Sequence, residues 1–252
     1  MTPSRPRSSS PGKIALIGCL ALEREINALG VSPEHVIRRE LMRDSLHEVP
    51  ALLRQMLVRA LAAAEADLQV DSVVLAYGAC GMAVSGLAPT RCRLVMPRAH
   101  DCVTLLLGSK ERYAACMAED PSLYWYTPGW CRSGRMPGPD REITMRAELQ
   151  GRLDPEQLES FLAIDRESLA VHSRAAYTDL ALPGDEEQHA YASHCTRCLG
   201  WKLQRERGDP RLLIDLLSGP WDDDRFLVVE PGEEIAASSD PGRILKAVPR
   251  QP

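Results

Sequence analysis

The chain has 252 residues, enough to bury a substantial core in one large domain or two small ones. Charged residues make up 26% and hydrophobic residues 44%, which excludes wholesale disorder. A formal charge of −5 argues against bulk nucleic-acid binding, and no apolar run reaches the ~18 residues of a membrane span.

Residues 1–12 are polar and rich in Pro and Ser and read as a disordered tail. Lys13 to Cys19 is a short apolar run, as in a buried parallel strand. Leu22 to Leu29 reads as a short helix stopped by Gly30, and His35 to Leu41 as a second strand. Pro50 fits a first helical turn, and Leu53, Met56, Leu57, Ala60, Leu61, Ala64 and Leu68 recur at helical spacing, which predicts a helix over 50–68. Asp71 to Tyr77 and Arg93 to Met96 read as buried strands, and Asp101 to Met117 as a helix. This alternation is the pattern of an α/β fold: a doubly wound, mostly parallel sheet with helices on both faces. From about 120 the composition changes. Tyr124 to Cys131 reads as an aromatic loop, 140–182 as helical with breaks, Glu186 to Arg205 as one helix, Arg211 to Leu217 as a short helix and Arg225 to Val229 as a strand. The expected organisation is a tail (1–12), an α/β core (13–120), a mixed and mainly helical part on the same domain (121–235) and a flexible tail (236–252).

Eight cysteines are what the composition leaves to explain. A chain of this length needs no disulfide staples, and the N-terminal stretch lacks the apolar run of a secretory signal. The reading is a reduced, cytoplasmic protein. On the predicted scheme Cys19 ends the first strand, His47 follows the second, Cys80 lies in the turn after the third, and His100, Asp101 and Cys102 follow the fourth. In a parallel sheet all of these lie at the carboxyl ends of the strands, where open α/β sheets bind ligands. Thiols and imidazole suit zinc or iron, so Cys19, Cys80, His100 and Cys102 are the candidate metal ligands, with Asp101 and His47 supporting them. Tyr124, Trp125, Tyr126 and Trp130 are candidates to wall a cofactor site, or else core residues. Cys131, Cys195 and Cys198 are optional further ligands, and Cys92 and Cys116 packing residues. Two other readings stay open: plain packing of all these thiols, and a metal-free nucleophile in which a helix N-terminus stabilises the Cys102 thiolate. Asp222, Asp223 and Asp224 read as a solvated acidic turn. Phosphate-loop, dinucleotide, hydrolase-elbow and zinc-protease motifs are absent.

Three segments carry a resemblance: Tyr77-Gly78-Ala79-Cys80-Gly81, Pro97-Arg98-Ala99-His100-Asp101-Cys102 with the run to Tyr113, and Tyr124-Trp125-Tyr126-Thr127-Pro128-Gly129-Trp130. With Ile17-Gly18-Cys19, Glu25, Leu46 to Pro50 and Trp221 to Phe226, they resemble the domain-of-unknown-function family 1638. Members of that family often accompany corrinoid-dependent methyltransferases. The resemblance therefore implies a one-carbon or corrinoid setting, with a corrinoid protein or methyltransferase as partner. In that setting the protein is a metal-dependent enzyme moving a methyl group to a thiol or pterin, a non-catalytic accessory or delivery protein, or a small iron–sulfur or redox protein.

Overall fold

The computed structural model describes residues 12–30, 32, 34–240 and 242–250, so all but the last residue of the expected N-terminal tail lies outside them. The chain divides into two compact units. One takes the residues up to Lys110 and those from Asp209 onward, the other Glu111–Gly208.

The first unit begins with β1 (Ile14–Cys19), a single 3-10 turn, α1 (Glu23–Ala28) and β2 (Val36–Met42). A second 3-10 turn, Asp44–Glu48, leads to α2 (Pro50–Glu65), β3 (Ser72–Ala76), β4 (Arg93–Pro97) and α3 (Cys102–Leu107). Every residue of β1 and β3 is buried, as apolar strands covered on both faces must be. Leu53, Leu57, Ala60, Leu61 and Ala64 are the buried stripe of α2, which packs on β1 and β3. Burying each leucine contributes roughly 1.5–3 kcal/mol. The helix expected over 101–117 breaks at Gly108.

The second unit carries α4 (Lys110–Glu119), β5 (Tyr124–Tyr126), α5 (Pro128–Ser133), α6 (Arg141–Leu149), α7 (Pro155–Leu169), β6 (Arg174–Asp179), α8 (Asp185–Leu199) and β7 (Lys202–Arg207). Its three strands pair in parallel in the order β5-β6-β7. These strands correct the expected aromatic loop and the unbroken helix to Arg205. Tyr124, Trp125 and Tyr126 form a strand, and Pro128 then opens α5 behind the Thr127 cap, whose hydroxyl accepts from the Trp130 amide at 3.2 Å. Gly200, at φ +72°, ends α8 and turns the chain into β7.

The chain returns to the first unit with α9 (Arg211–Ser218), β8 (Phe226–Val229), β9 (Glu233–Ala237) and β10 (Leu245–Pro249). The five-stranded sheet runs β2-β1-β3-β4-β8, parallel except for β8, which lies antiparallel to β4. The fold is therefore mixed α/β with a mainly parallel central sheet. The part over 121–235, expected to be mixed and mainly helical, holds β5, β6, β7, β8 and the start of β9 beside α5 to α9. The expected tail from 236 is corrected too. β9 and β10 form an antiparallel hairpin, with Ile235 and Leu245 buried. Gly86 donates to the Ile235 carbonyl at 2.8 Å and Ile235 to the Leu87 carbonyl at 3.0 Å. Arg98, only 3% exposed, donates to the carbonyls of Asp223, Arg243 and Leu245 and to the Asp223 carboxylate. The arginine of the Pro-Arg-Ala-His-Asp-Cys segment thus holds the C-terminal hairpin.

Glu65 fixes the approach to β4. Its carboxylate accepts from the amides of Thr90 (2.8 Å), Arg91 (2.7 Å) and Cys92 (3.0 Å) and from the Thr90 hydroxyl (2.8 Å). Burial pushes this carboxyl up, but the hydrogen bonds outweigh it and hold the group below its ordinary 4.5. A carboxyl lowered in the folded state contributes stability above its unfolded pKa and loses it as pH falls through the folded one. Glu65→Gln is expected to cost about 2 kcal/mol at pH 7. Urea unfolding at stepped pH should show that gap narrowing below pH 4.5. A gap constant down to pH 3 would contradict the assignment.

Candidate functional site

In the order β2-β1-β3-β4, β1 and β3 are parallel neighbours, so their carboxyl ends lie side by side. Cys19 closes β1 there. Beyond β3 the chain runs Tyr77-Gly78-Ala79-Cys80 beside the extension of β4. Ala79 donates to the Ala99 carbonyl at 2.8 Å and Cys80 to the His100 carbonyl at 3.1 Å. Gly78 permits this approach. A Cβ there would sit 2.4 Å from both the Cα and the amide nitrogen of Asp101, which is backbone and cannot swing aside. Asp101 caps α3, its carboxylate accepting from the Thr104 amide at 3.2 Å, and Cys102 is the first helical residue.

Cys80, Gly81 and Met82 follow one another at φ +44°, +63° and +65°. Two of the three carry side chains, and each such residue costs of order 1–3 kcal/mol. Strain of this kind collects where a chain must hold a group in a set place. Arg54 braces the turn through the Met82 carbonyl at 3.1 Å.

The three thiols lie within one another's electrostatic reach. Burial pushes Cys80 up to about 12, and Cys19 and then Asp101 add to the shift. Burial likewise raises Cys102 well above the ordinary thiol range, with Cys19, Asp101 and Cys80 contributing in turn. Both thiols are neutral at pH 7. At Cys102 desolvation and acidic neighbours work against the stabilisation that a helix N-terminus gives a thiolate. Cys19 and Cys102 are buried and Cys80 half-buried, so Cys80 is the member of the set that solvent reaches.

His100 and His47 are exposed, His47 in the 3-10 turn after β2. Among the described residues no group of three or more His, Cys, Asp or Glu is arranged to hold a metal ion. Tyr126, Cys131, Tyr177, Ala192 and Cys195 are core residues of the second unit, with Tyr124 and Trp130 packed against them. Trp125 stacks on Tyr113 at 6.0 Å. Cys198 is exposed, 3.8 Å from His194 Nε2. Cys92 is buried and its thiol donates to the Val70 carbonyl at 3.2 Å, a packing role, whereas Cys116 is half-buried in α4. None of the eight cysteines is in a disulfide. The acidic turn is pinned acid by acid: Asp222 to Arg225, Asp223 to Arg98 and Arg243, Asp224 to Lys110. A cavity of about 230 Å³ lined by Leu16, Ile26, Val36, Arg39 and Leu217 carries no thiol or histidine.

Two features escaped the sequence. Gly78 reads there only as turn glycine. Glu25, in the first turn of α1, is fully buried; in the sequence it stands out only through the family resemblance, with no role attached.

The model of a family described as a protein of unknown function, DUF1638, matches residues 41–217. That span includes His47, Cys80, His100, Asp101 and Cys102 and leaves out Cys19. No curated protein matches the chain. No solved structure matches it.

Iodoacetamide attacks thiolates, so neutral thiols lag. At pH 8, peptide mapping is expected to show exposed Cys198 modified first, with Cys80 and Cys102 slower by ~100-fold or more. Cys102 reacting as fast as Cys198 would contradict the electrostatics.

Proposed function

This chain belongs to the DUF1638 family, and from that premise we propose that it binds one thiophilic metal ion, zinc or iron, at the carboxyl edge of its main sheet. Cys19, Cys80 and Cys102 are the thiol donors and His100 the fourth. On this reading the sheet is doubly wound, with the site at its switch point. The observation that supports it is the mutual influence of three thiols from three separate strand ends.

The donor chemistry fits such an ion. Thiols bind metals as thiolates, so loading is coupled to proton release from groups that are neutral at pH 7. A nearby cation reverses the sign of their environment: the proximity that raises Cys80 and Cys102 in the bare protein supplies a charged ligand set once protons leave. The donors are not preset as a cage among the described residues, so side chains rotate on binding. Asp101 holds the first turn of α3, and with it Cys102, through its cap. Zinc bound there would supply Lewis-acid chemistry: with the three thiolates retained and a substrate sulfur in place of His100, it would lower the pKa of that thiol.

We further propose that this chemistry serves one-carbon or corrinoid metabolism, as methyl transfer to a thiol or pterin acceptor in the cytoplasm, beside a corrinoid protein or methyltransferase. A second reading is delivery of the metal or corrinoid to such a partner. The exposure of His100 and the half-exposure of Cys80 favour it, because donors that reach solvent can hand an ion on.

Anaerobic purification followed by metal analysis and visible spectroscopy tests the proposal. About one zinc per chain is expected in the wild type, falling at least tenfold in Cys102→Ala, with unchanged far-UV circular dichroism. A broad brown absorption would replace zinc with an iron–sulfur reading. A folded protein that takes up neither metal would overturn the proposal.

A further inference from the structure

β2 is an edge of the main sheet, paired to β1 on one side and to no strand on the other among the described residues. Its sequence, Val36-Ile37-Arg38-Arg39-Glu40-Leu41-Met42, is self-complementary about Arg39. We propose that β2 is a dimer interface, pairing antiparallel with β2 of a second copy of this chain across a two-fold axis at Arg39.

In that register residues whose numbers sum to 78 lie opposite one another, on the same face of the joined sheet. Arg38 of each copy faces Glu40 of the other, giving two opposite-charge pairs. The two charge pairs lie side by side across the axis, within the regular stretch of β2. Directly opposed side chains in antiparallel strands sit close enough to contribute this way. The side chains are available. Arg38 and Glu40 are each 40% exposed, and their contact within one chain is long, at 3.9 Å. Ile37 and Leu41 are half-buried, leaving apolar surface to cover. The two arginines at the axis are already neutralised in their own copies. Arg39 reaches Glu23 of α1 at 3.7 Å and donates to the Asn27 side chain.

Charge on an edge strand usually blocks pairing with other chains. Here the order basic, centre, acidic repels many partners and attracts its own reversed copy. The β1 ladder skips Ile37, so the outer rim is regular from Arg38 onward. The charge pairs therefore form the centre of the interface. The result is an isologous contact that joins two five-stranded sheets into one.

Sedimentation equilibrium of the full chain over a range of concentrations tests this. The wild type is expected to dimerise. Glu40→Arg places like charges opposite each other twice, and should weaken dimerisation at least ~10-fold. Arg38→Glu should do the same. Combining Arg38→Glu with Glu40→Arg restores both pairs with reversed polarity and should return dimerisation to near the wild-type level. A wild type that stays monomeric would overturn the proposal. So would Glu40→Arg that dimerises as the wild type does, or a double variant no better than the singles. Circular dichroism confirms that each variant is folded.

Discussion

The candidate site depends on one close approach. Where β3 and β4 run past their last strand residues, the backbone at Gly78 lies against the backbone at Asp101, with no room for a side chain. Two amide hydrogen bonds, from Ala79 and Cys80 to Ala99 and His100, continue the sheet beyond its regular end. That extension carries Cys80 to the turn where Asp101 starts α3 with Cys102 as its first residue. Cys19 is already there, because β1 is hydrogen-bonded to β3. A larger residue at 78 would separate the strands and disperse the thiols.

The consequence is electrostatic. Packing three thiols where water is scarce and a carboxylate is near keeps Cys80 and Cys102 protonated. Such a set makes a poor nucleophile. It suits a ligand that brings positive charge, since each thiolate formed then stabilises the ion that the others share. The backbone in left-handed conformation at Cys80 and Met82 fits the same picture. The turn holds a strained shape, and the Arg54 brace and the Pro50 side chain 3.1 Å from where a Gly81 Cβ would lie keep it so.

Much of the first unit was legible in the sequence. Runs such as Ile14–Cys19 and Ser72–Ala76 have few outcomes other than buried parallel strands, and the 50–65 helix declared itself by its leucine spacing. Topology then placed Cys19, Cys80 and Cys102 at one edge without any local motif. The second unit was less legible for physical reasons. β5 is three residues long, too short to show a period, and β7 reads Lys-Leu-Gln-Arg-Glu-Arg, a charged edge with no apolar alternation. β6 buries Ala175, Ala176, Tyr177, Thr178 and Asp179, a mix of small and polar residues that gives little apolar signal. The C-terminal hairpin was missed because its anchor, Arg98, lies about 145 residues away. Gly78 could not be read either, because the atoms it must avoid belong to a segment distant in sequence.

The central claim is that Cys19, Cys80 and Cys102 act as one ligand set. Titration with cadmium, followed by sulfur-to-metal charge-transfer absorption in the ultraviolet, tests it directly, because the signal scales with the number of coordinated thiolates. The account predicts a wild-type amplitude of three thiolates that drops in each of Cys19→Ser, Cys80→Ser and Cys102→Ser and is unchanged in Cys131→Ser and Cys195→Ser. A full signal in the first three variants, or its loss in the last two, would contradict it.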